Sequence, residues 1–334
     1  MAIHTITVVG APRPYPETER GWRLYQFLQL FPKHVRSSWV DSDKVETCAP
    51  FETDVLIVFV PKRPTMQQLS KIRYKFLFMA HYTDGETVDE TVLAEFGDLA
   101  TGYLLPAVNK RNVYPLPVLP MPLAFHSRTR KPYSYLDLDL KRRYWRASFV
   151  GAATVYQGEY PQRKEWVEEL VRLAPKRVRV GLFDNESYPL HAIFPDAPER
   201  FSHPFLGPGF YITLMQLSQV CVAPAGNARW TYRHYEAIQA GNVLVSTDLR
   251  EMDLLIPFPD EGIVYVPDHA DVWPILAPVL DTVGMYQDAV RRNQAKMAQY
   301  LNDGTYSANK PLPLFDFLRQ LEHVASLKYR TAAK

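Results

Sequence analysis

One stretch of this chain combines the residue types that hold a phosphorylated ligand. It runs from Ser218 through Gly226, Arg233, Glu236 and Gly241 to Phe258. The apolar run Val220–Ala223 predicts a strand. Pro224, Ala225, Gly226 and Asn227 predict a turn at its carboxyl end, and a helix over Arg233–Ala240 follows, closed by Gly241. Strand, glycine-bearing turn and helix N-terminus together present backbone N–H groups to an anion. Arg233, near that terminus, can add a bidentate, charge-assisted contact. Glu236 lies three residues on, on the same face. A carboxylate there is poorly placed for phosphate but well placed to accept hydrogen bonds from two ribose hydroxyls. One helix face would then read a nucleoside diphosphate. An Arg–Glu pair at this spacing is also an ordinary surface pair of an amphipathic helix, and both readings stand at this level.

The elements that must position these residues follow an α/β grammar. In the first half, Ile3–Val9, Asp54–Val60, Tyr74–Ala80, Gly102–Leu105 and Val113–Val118 predict strands. Gly21–Phe31 and Val88–Phe96 predict helices, with another opening over Met66–Ile72. Asp54–Val60 and Tyr74–Ala80 are continuous apolar runs, the pattern of strands buried on both faces. In the second half, strands are expected at Ala147–Val150, Val178–Leu182, Val243–Ser246 and Gly262–Val266. Helices are expected at Gln162–Ala174, Gly209–Gln216, Val272–Val283, Tyr286–Leu301 and Leu314–Leu327. Alternation of this kind indicates parallel sheets covered on both sides. The 334 residues suit two domains. Prolines from Pro106 to Pro132 break the regularity, so the divisions expected are 1–125, a connector 126–146, 147–310, and a C-terminal helical segment 311–334 that can pack back on the first domain.

Bulk composition excludes several classes. The chain is 47% hydrophobic and 22% charged, with a net charge of +2, ordinary for a globular protein. That balance does not favour nucleic acid as the main partner. The densest basic cluster, Lys141, Arg142, Arg143 and Arg146, reads first as a solvated segment and second as an anion-attracting rim. Cys48 and Cys221 form neither a disulfide framework nor a metal-ligand spacing. No signal peptide and no run of about 18 apolar residues is present, so a cytoplasmic protein without a membrane span is expected.

The stretch then resembles a known family. Pro224 and Gly226 after a strand, Arg233, Glu236 and Ala237 on a helix, Gly241, an apolar strand, and the pair Pro257-Phe258 resemble the donor-binding domain of exostosin-like glycosyltransferases. Phe149-Val150-Gly151 followed by Arg163 resembles the same family's upstream motif. The likeness covers about residues 145–270, and the chain departs from the family at Tyr232, Asn242 and Leu244. It implies an α/β GT-B fold of two Rossmann-like domains facing a central cleft, a nucleotide-sugar donor (typically a UDP-sugar), inversion at the anomeric carbon and no required metal or other cofactor. It implies that Arg233 and Arg163 neutralise the diphosphate, that Gly151 belongs to the same site, and that Glu236 holds the ribose. Eukaryotic members usually carry a membrane anchor, so a bacterial or viral member is expected.

Inverting transfer to a glycan hydroxyl needs a general base. The segment after Tyr74–Ala80 offers Asp84 first, then His81, then Glu86, although Asp84-Gly85 is also plain turn chemistry. The first loop, Gly10 to Arg13, is a second acceptor-side candidate, and a plain connection otherwise. Asp184, after the strand Val178–Leu182, is a donor-side candidate for approaching the nucleobase or the sugar, or a surface turn. Tyr211 is a candidate for stacking on uracil, or core. Asp137 and Asp139 match a metal-binding Asp-x-Asp pattern but lie in a charged connector rather than after a strand. Two readings from other classes remain open: a non-catalytic carbohydrate- or nucleotide-binding protein, and a nucleotide-sugar epimerase.

Overall fold

The apolar runs become strands with a core on each face. In the computed structural model the described residues are 2–11, 20–59, 69–80, 86–122, 139–151, 162–173, 178–183, 202–203, 208–226, 228–259, 261–302 and 304–332. The chain forms two units, Met1–Phe125 with Glu251–Pro257 and Tyr306–Lys334, and His126–Arg250 with Phe258–Thr305.

The first unit contains β1 (Thr5–Gly10), α1 (Arg20–Gln29), β2 (Arg36–Asp41), β3 (Phe51–Phe59), β4 (Ile72–Ala80), α2 (Glu90–Phe96), β5 (Gly102–Leu105), β6 (Val108–Asn109) and β7 (Val118–Pro120). Six of these strands form one sheet in the order β2-β1-β3-β4-β5-β7. Every neighbouring pair is parallel. Alternation along β3 explains its unbroken hydrophobicity. Val55, Ile57 and Phe59 face the core that includes Leu24 and Leu28 of α1, whereas Leu56 and Val58 face the core that includes Val92 and Phe96 of α2.

Three sequence expectations are corrected here. β2 was not anticipated, because it is an edge strand whose residues Arg36, Ser37 and Ser38 are polar and only partly covered. The helix expected over Met66–Ile72 ends short of Ile72: Leu69 is helical, Ile72 already opens β4, and 66–68 lie outside the described residues. Val113–Val118 is not a strand: Val113 is 97% exposed, and the strand begins at Val118.

The second unit contains β8 (Trp145–Gly151), α3 (Gln162–Leu173), β9 (Val178–Phe183), β10 (Ser202–His203), α4 (Pro208–Gln216), β11 (Ser218–Ala223), α5 (Tyr232–Gln239) and β12 (Val243–Thr247). After β13 (Met252–Asp253) come β14 (Ile263–Val266), α6 (Trp273–Thr282), α7 (Gln287–Met297) and α8 (Leu312–Ala332). The sheet order is β10-β9-β8-β11-β12-β14, again parallel throughout. Val220 and Val222 of β11 face one core, and Cys221 and Ala223 face another with α4 and α5.

Two later segments belong to the first unit. β13 pairs antiparallel with β6, Met252 opposite Asn109. Leu314, Phe317, Leu321 and Val324 of α8 enter the same core as β1, β3 and β4. Among the described residues no helix is long and apolar enough to cross a membrane.

Strand order reverses between β1 and β3 in the first sheet and between β8 and β11 in the second. Open parallel sheets bind ligands at the carboxyl ends of their strands at such a switch point. The carboxyl ends of β8 and β11 are therefore the candidate ligand site of the second unit.

Candidate anion-binding site at a topological switch point

The ends of these two strands and the helices that follow them carry Gly151, Arg163, Gly226, Arg233 and Glu236. Arg233, in the first turn of α5, reaches across to the end of β8, where Nη2 donates to the carbonyl of Val150 at 2.7 Å. Its guanidinium carbon lies 4.8 Å from the centre of the Phe149 ring, a cation–π contact. A Cβ on Gly151 would collide with Nη2. Each residue of Phe149-Val150-Gly151 therefore has a separate task in seating one arginine: ring, carbonyl and empty space.

Arg163 makes the reciprocal reach. It stands in the first turn of α3, after β8, and Nε donates to the carbonyl of Ala225 in the loop after β11 at 2.8 Å. Arg163 is only 8% exposed. A Cβ on Gly226 would stand 2.9 Å from Arg163 Nη2 and 2.8 Å from the Thr231 methyl, so only glycine lets these groups close in. Each arginine thus belongs to one strand–helix unit and is held by the backbone of the other. The Tyr211 hydroxyl interacts with the Arg233 side chain, while Nε and Nη1 of Arg233 are shielded from solvent and make no hydrogen bond of normal geometry with the described residues. Shielded guanidinium N–H groups in that state are ready for an anion.

Glu236 is buried one turn along α5, and Tyr211 of α4 is half-buried beside it. Desolvation of its hydroxyl pushes the Tyr211 phenol well above its ordinary range; Glu236 adds to the rise and Arg233 opposes it. Burial likewise pushes the Cys221 thiol up to about 12, against the pull of Arg233 and with a push from Glu236. Cys221 is therefore an inert thiol under the site.

The helix start is held by His234, which sequence reasoning passed over. Its imidazole is fully buried. Nδ1 accepts from the backbone N–H of Thr231 at 2.8 Å. Nε2 lies 3.0 Å from the Ser246 hydroxyl, which itself donates to the carbonyl of Thr247 at 2.8 Å. Nδ1 also lies 2.9 Å from the Thr231 carbonyl, so the donor and acceptor roles of the two ring nitrogens follow the tautomer. Burial is the main cause that lowers the His234 pKa to about 3, and Arg233 and Arg163 lower it further. A Thr-x-x-His spacing ahead of an apolar helix face carries the capping-box pattern, with histidine in place of the usual Glu. That spacing was the available signal.

Other candidates fall differently. Asn227, Asp184, His81 and Asp84 lie outside the described residues. Glu86 is only 2% exposed, and its carboxylate accepts from Asn109 Nδ2 at 2.9 Å. Its carbonyl receives the Tyr114 hydroxyl at 2.9 Å. Asp139 caps the short 3-10 turn Leu140–Arg142 by accepting from the N–H of Lys141. The basic cluster is divided: Arg143 is buried against the carbonyl of Ser218, and Arg146 pairs with Asp281 at 2.7 Å.

Two parallel α/β units, each with a switch point, define the GT-B class of fold. The chain is similar in structure to an α-glucosyltransferase in complex with UDP-glucose and DNA containing an abasic site, with a TM-score of 0.53 and 12% identity, covering 96% of this chain and 100% of that one. It is also similar to sucrose-phosphate synthase from Thermosynechococcus elongatus, with a TM-score of 0.56 and 11% identity, covering 96% and 99%. At such identities the likeness is one of fold. No protein-family profile matches the chain, and no curated protein sequence does.

Proposed function

We propose that the second unit binds the diphosphate of a nucleotide-sugar, typically a UDP-sugar, at the β8–β11 switch point, and that the chain is a glycosyltransferase related to the exostosin-like enzymes. The observation that carries this reading is the reciprocal arginine pair. Arg163 and Arg233 are fixed by the carbonyls of Ala225 and Val150 before any ligand arrives. Departure of a nucleoside diphosphate develops negative charge, and preoriented cations stabilise it without reorganising in the reaction. Glu236 is assigned to the ribose hydroxyls and Tyr211 to the uracil edge of the site. Asn227 and Asp184 complete the proposed donor site.

The two guanidiniums supply the charge that a divalent cation would otherwise bring, so transfer is proposed to need no metal. Inversion is proposed, with Asp84 taking the proton of a glycan hydroxyl and His81 and Glu86 as the next candidates. The burial of Glu86 and its bond to Asn109 weigh toward the other two.

Incubation with UDP-sugars and GDP-sugars tests the assignment. Slow hydrolysis of a UDP-sugar without acceptor is expected, at a rate unchanged by EDTA. With a glycan acceptor, proton NMR should show the anomeric configuration opposite to that of the donor. Binding without turnover would favour a non-catalytic sugar- or nucleotide-binding protein, and an epimerised nucleotide-sugar would favour an epimerase. Absence of nucleotide binding across the panel would overturn the reading altogether. A retained anomer would preserve the transferase assignment and remove Asp84 as base.

Gly151→Ala gives a second expected outcome. The methyl displaces Arg233 from Val150, and loss of one charge-assisted hydrogen bond of about 1.5–3 kcal/mol weakens binding roughly 10- to 100-fold. Calorimetric titration with UDP measures it. Unchanged affinity would mean that this placement of Arg233 is irrelevant to the ligand.

A further inference from the structure

A carboxylate outside the arginine pair joins the pieces that build the site. Asp268, two residues beyond β14, holds Arg229 in a two-pronged pair: Nη1 donates to Oδ1 at 2.9 Å and Nη2 to Oδ2 at 2.7 Å. The pair is largely enclosed, with side-chain exposures of 12% for Arg229 and 31% for Asp268. Oδ1 of Asp268 also receives Gln162 Nε2 at 3.2 Å. Arg229 lies in the loop between β11 and α5, and Gln162 is the first residue of α3, adjacent to Arg163. One carboxylate therefore touches both segments whose relative placement sets the reciprocal arginines.

The ties around it are continuous. The carbonyl of Arg229 accepts from the Thr247 hydroxyl at 3.3 Å, linking the loop to β12. The loop is folded on itself by the Gly226 N–H, which donates to the carbonyl of Ala228 at 2.7 Å. One flank of α3 is joined to the segment after Asp268. Trp166 Nε1 donates to the carbonyl of Ala270, and Oε2 of Glu169 accepts from the N–H groups of Val272 and Trp273. Directly after Asp268, His269 holds a φ of 65°, the left-handed region that non-glycine residues rarely enter. Strain of that kind persists only where surrounding contacts over-determine the backbone.

We propose that Asp268 is the positioning residue of the anion site. It fixes the β11–α5 loop through Arg229 and the start of α3 through Gln162, so that Arg163 and Arg233 stand ready for the diphosphate. The inference rests on the reading of that site as diphosphate-binding. A loop ordered in advance does not have to be ordered at the ligand's expense, so loss of the tie appears as lost affinity.

The test combines UDP titration, donor kinetics and hydrogen exchange on Asp268→Asn, Arg229→Ala and the double variant that carries both substitutions. Asp268→Asn and Arg229→Ala should each raise the UDP dissociation constant about tenfold, and the double variant about the same, because residues acting through one contact are non-additive. Donor KM should rise while acceptor KM does not. Exchange should quicken over 225–231 and leave β12 and α7 at wild-type protection. Wild-type affinity and exchange in Asp268→Asn would overturn the proposal. So would losses that multiply fully in the double variant, or faster exchange across the whole unit. If wild-type protein fails to bind UDP, the donor assignment falls, and the exchange pattern alone still decides whether Asp268 positions the loop.

Discussion

Arg233→Ala should weaken UDP binding at least about 100-fold and abolish sugar transfer, while the thermal midpoint stays within a few degrees of wild type. The affinity loss follows from a guanidinium that contributes more than one charge-assisted hydrogen bond, each of about 1.5–3 kcal/mol. The small stability change follows from offsetting terms. Truncation loses the bond to Val150 and the cation contact with Phe149. It also loses the interaction with the Tyr211 hydroxyl, but it removes two shielded N–H groups that make no hydrogen bond of normal geometry among the described residues, and it takes one of two cations out of a shared site. Sites built for a charged ligand are commonly held at a cost to stability. Arg233→Lys should recover only part of the affinity, because one ammonium cannot hold the Val150 carbonyl and present a planar fork to phosphate. Titration with UDP and a melting curve on the same samples decide the matter. An alanine variant that binds UDP within threefold of wild type would sink the donor assignment.

How far the sequence foretold this arrangement depended on the range of the interactions involved. β3, β4, β11 and β12 were readable because strands buried on both faces become continuous apolar runs. β2 was not readable, since an edge strand such as Arg36–Asp41 carries polar residues that could equally be a loop. Nor was the return of Glu251–Pro257 to the first unit, which rests on a ladder between Met252 and Asn109 that no local pattern announces. The same division runs through the site. Arg233 and Glu236 drew attention by their spacing on one helix. Arg163 entered only by resemblance, because its contact with Ala225 spans 62 positions. Asp268 left no trace at all: a lone Asp after a strand gains meaning only when Arg229 and Gln162 are brought to it. Glu86 shows the opposite hazard. Its position after a strand made it a candidate base, yet Asn109 and Tyr114, which enclose it, are remote in sequence.

Acidification should destabilise the protein through His234, and His234→Asn should remove that part of the pH dependence. In the unfolded chain the imidazole takes up a proton near its ordinary value of about 6.5. In the fold it stays neutral until about pH 3, because burial and the nearby Arg233 and Arg163 oppose its charge. Between those values the unfolded state binds more protons than the folded state, so stability rises with pH across this window and is lost as pH falls. The loss by pH 5 amounts to about 2 kcal/mol, from roughly 1.4 kcal/mol per pH unit over about 1.5 units. Above pH 7 the term vanishes. Asn is the informative replacement, since its carbonyl can stand near Nδ1 and keep the Thr231 N–H satisfied while presenting no titrating group. His234→Ala leaves the Thr231 donor without its side-chain acceptor and opens a cavity beside Ser246. At neutral pH it should cost about 2–4 kcal/mol. Urea melts at pH 7.5 and pH 5 on wild type and both variants measure these quantities. A wild-type protein whose stability is equal at the two pH values, or a His234→Asn variant that keeps the full acid sensitivity, would show that this histidine is not the group responsible. Because the same imidazole fixes the first turn of α5, the alanine variant should also lose UDP affinity, and the asparagine variant should retain most of it.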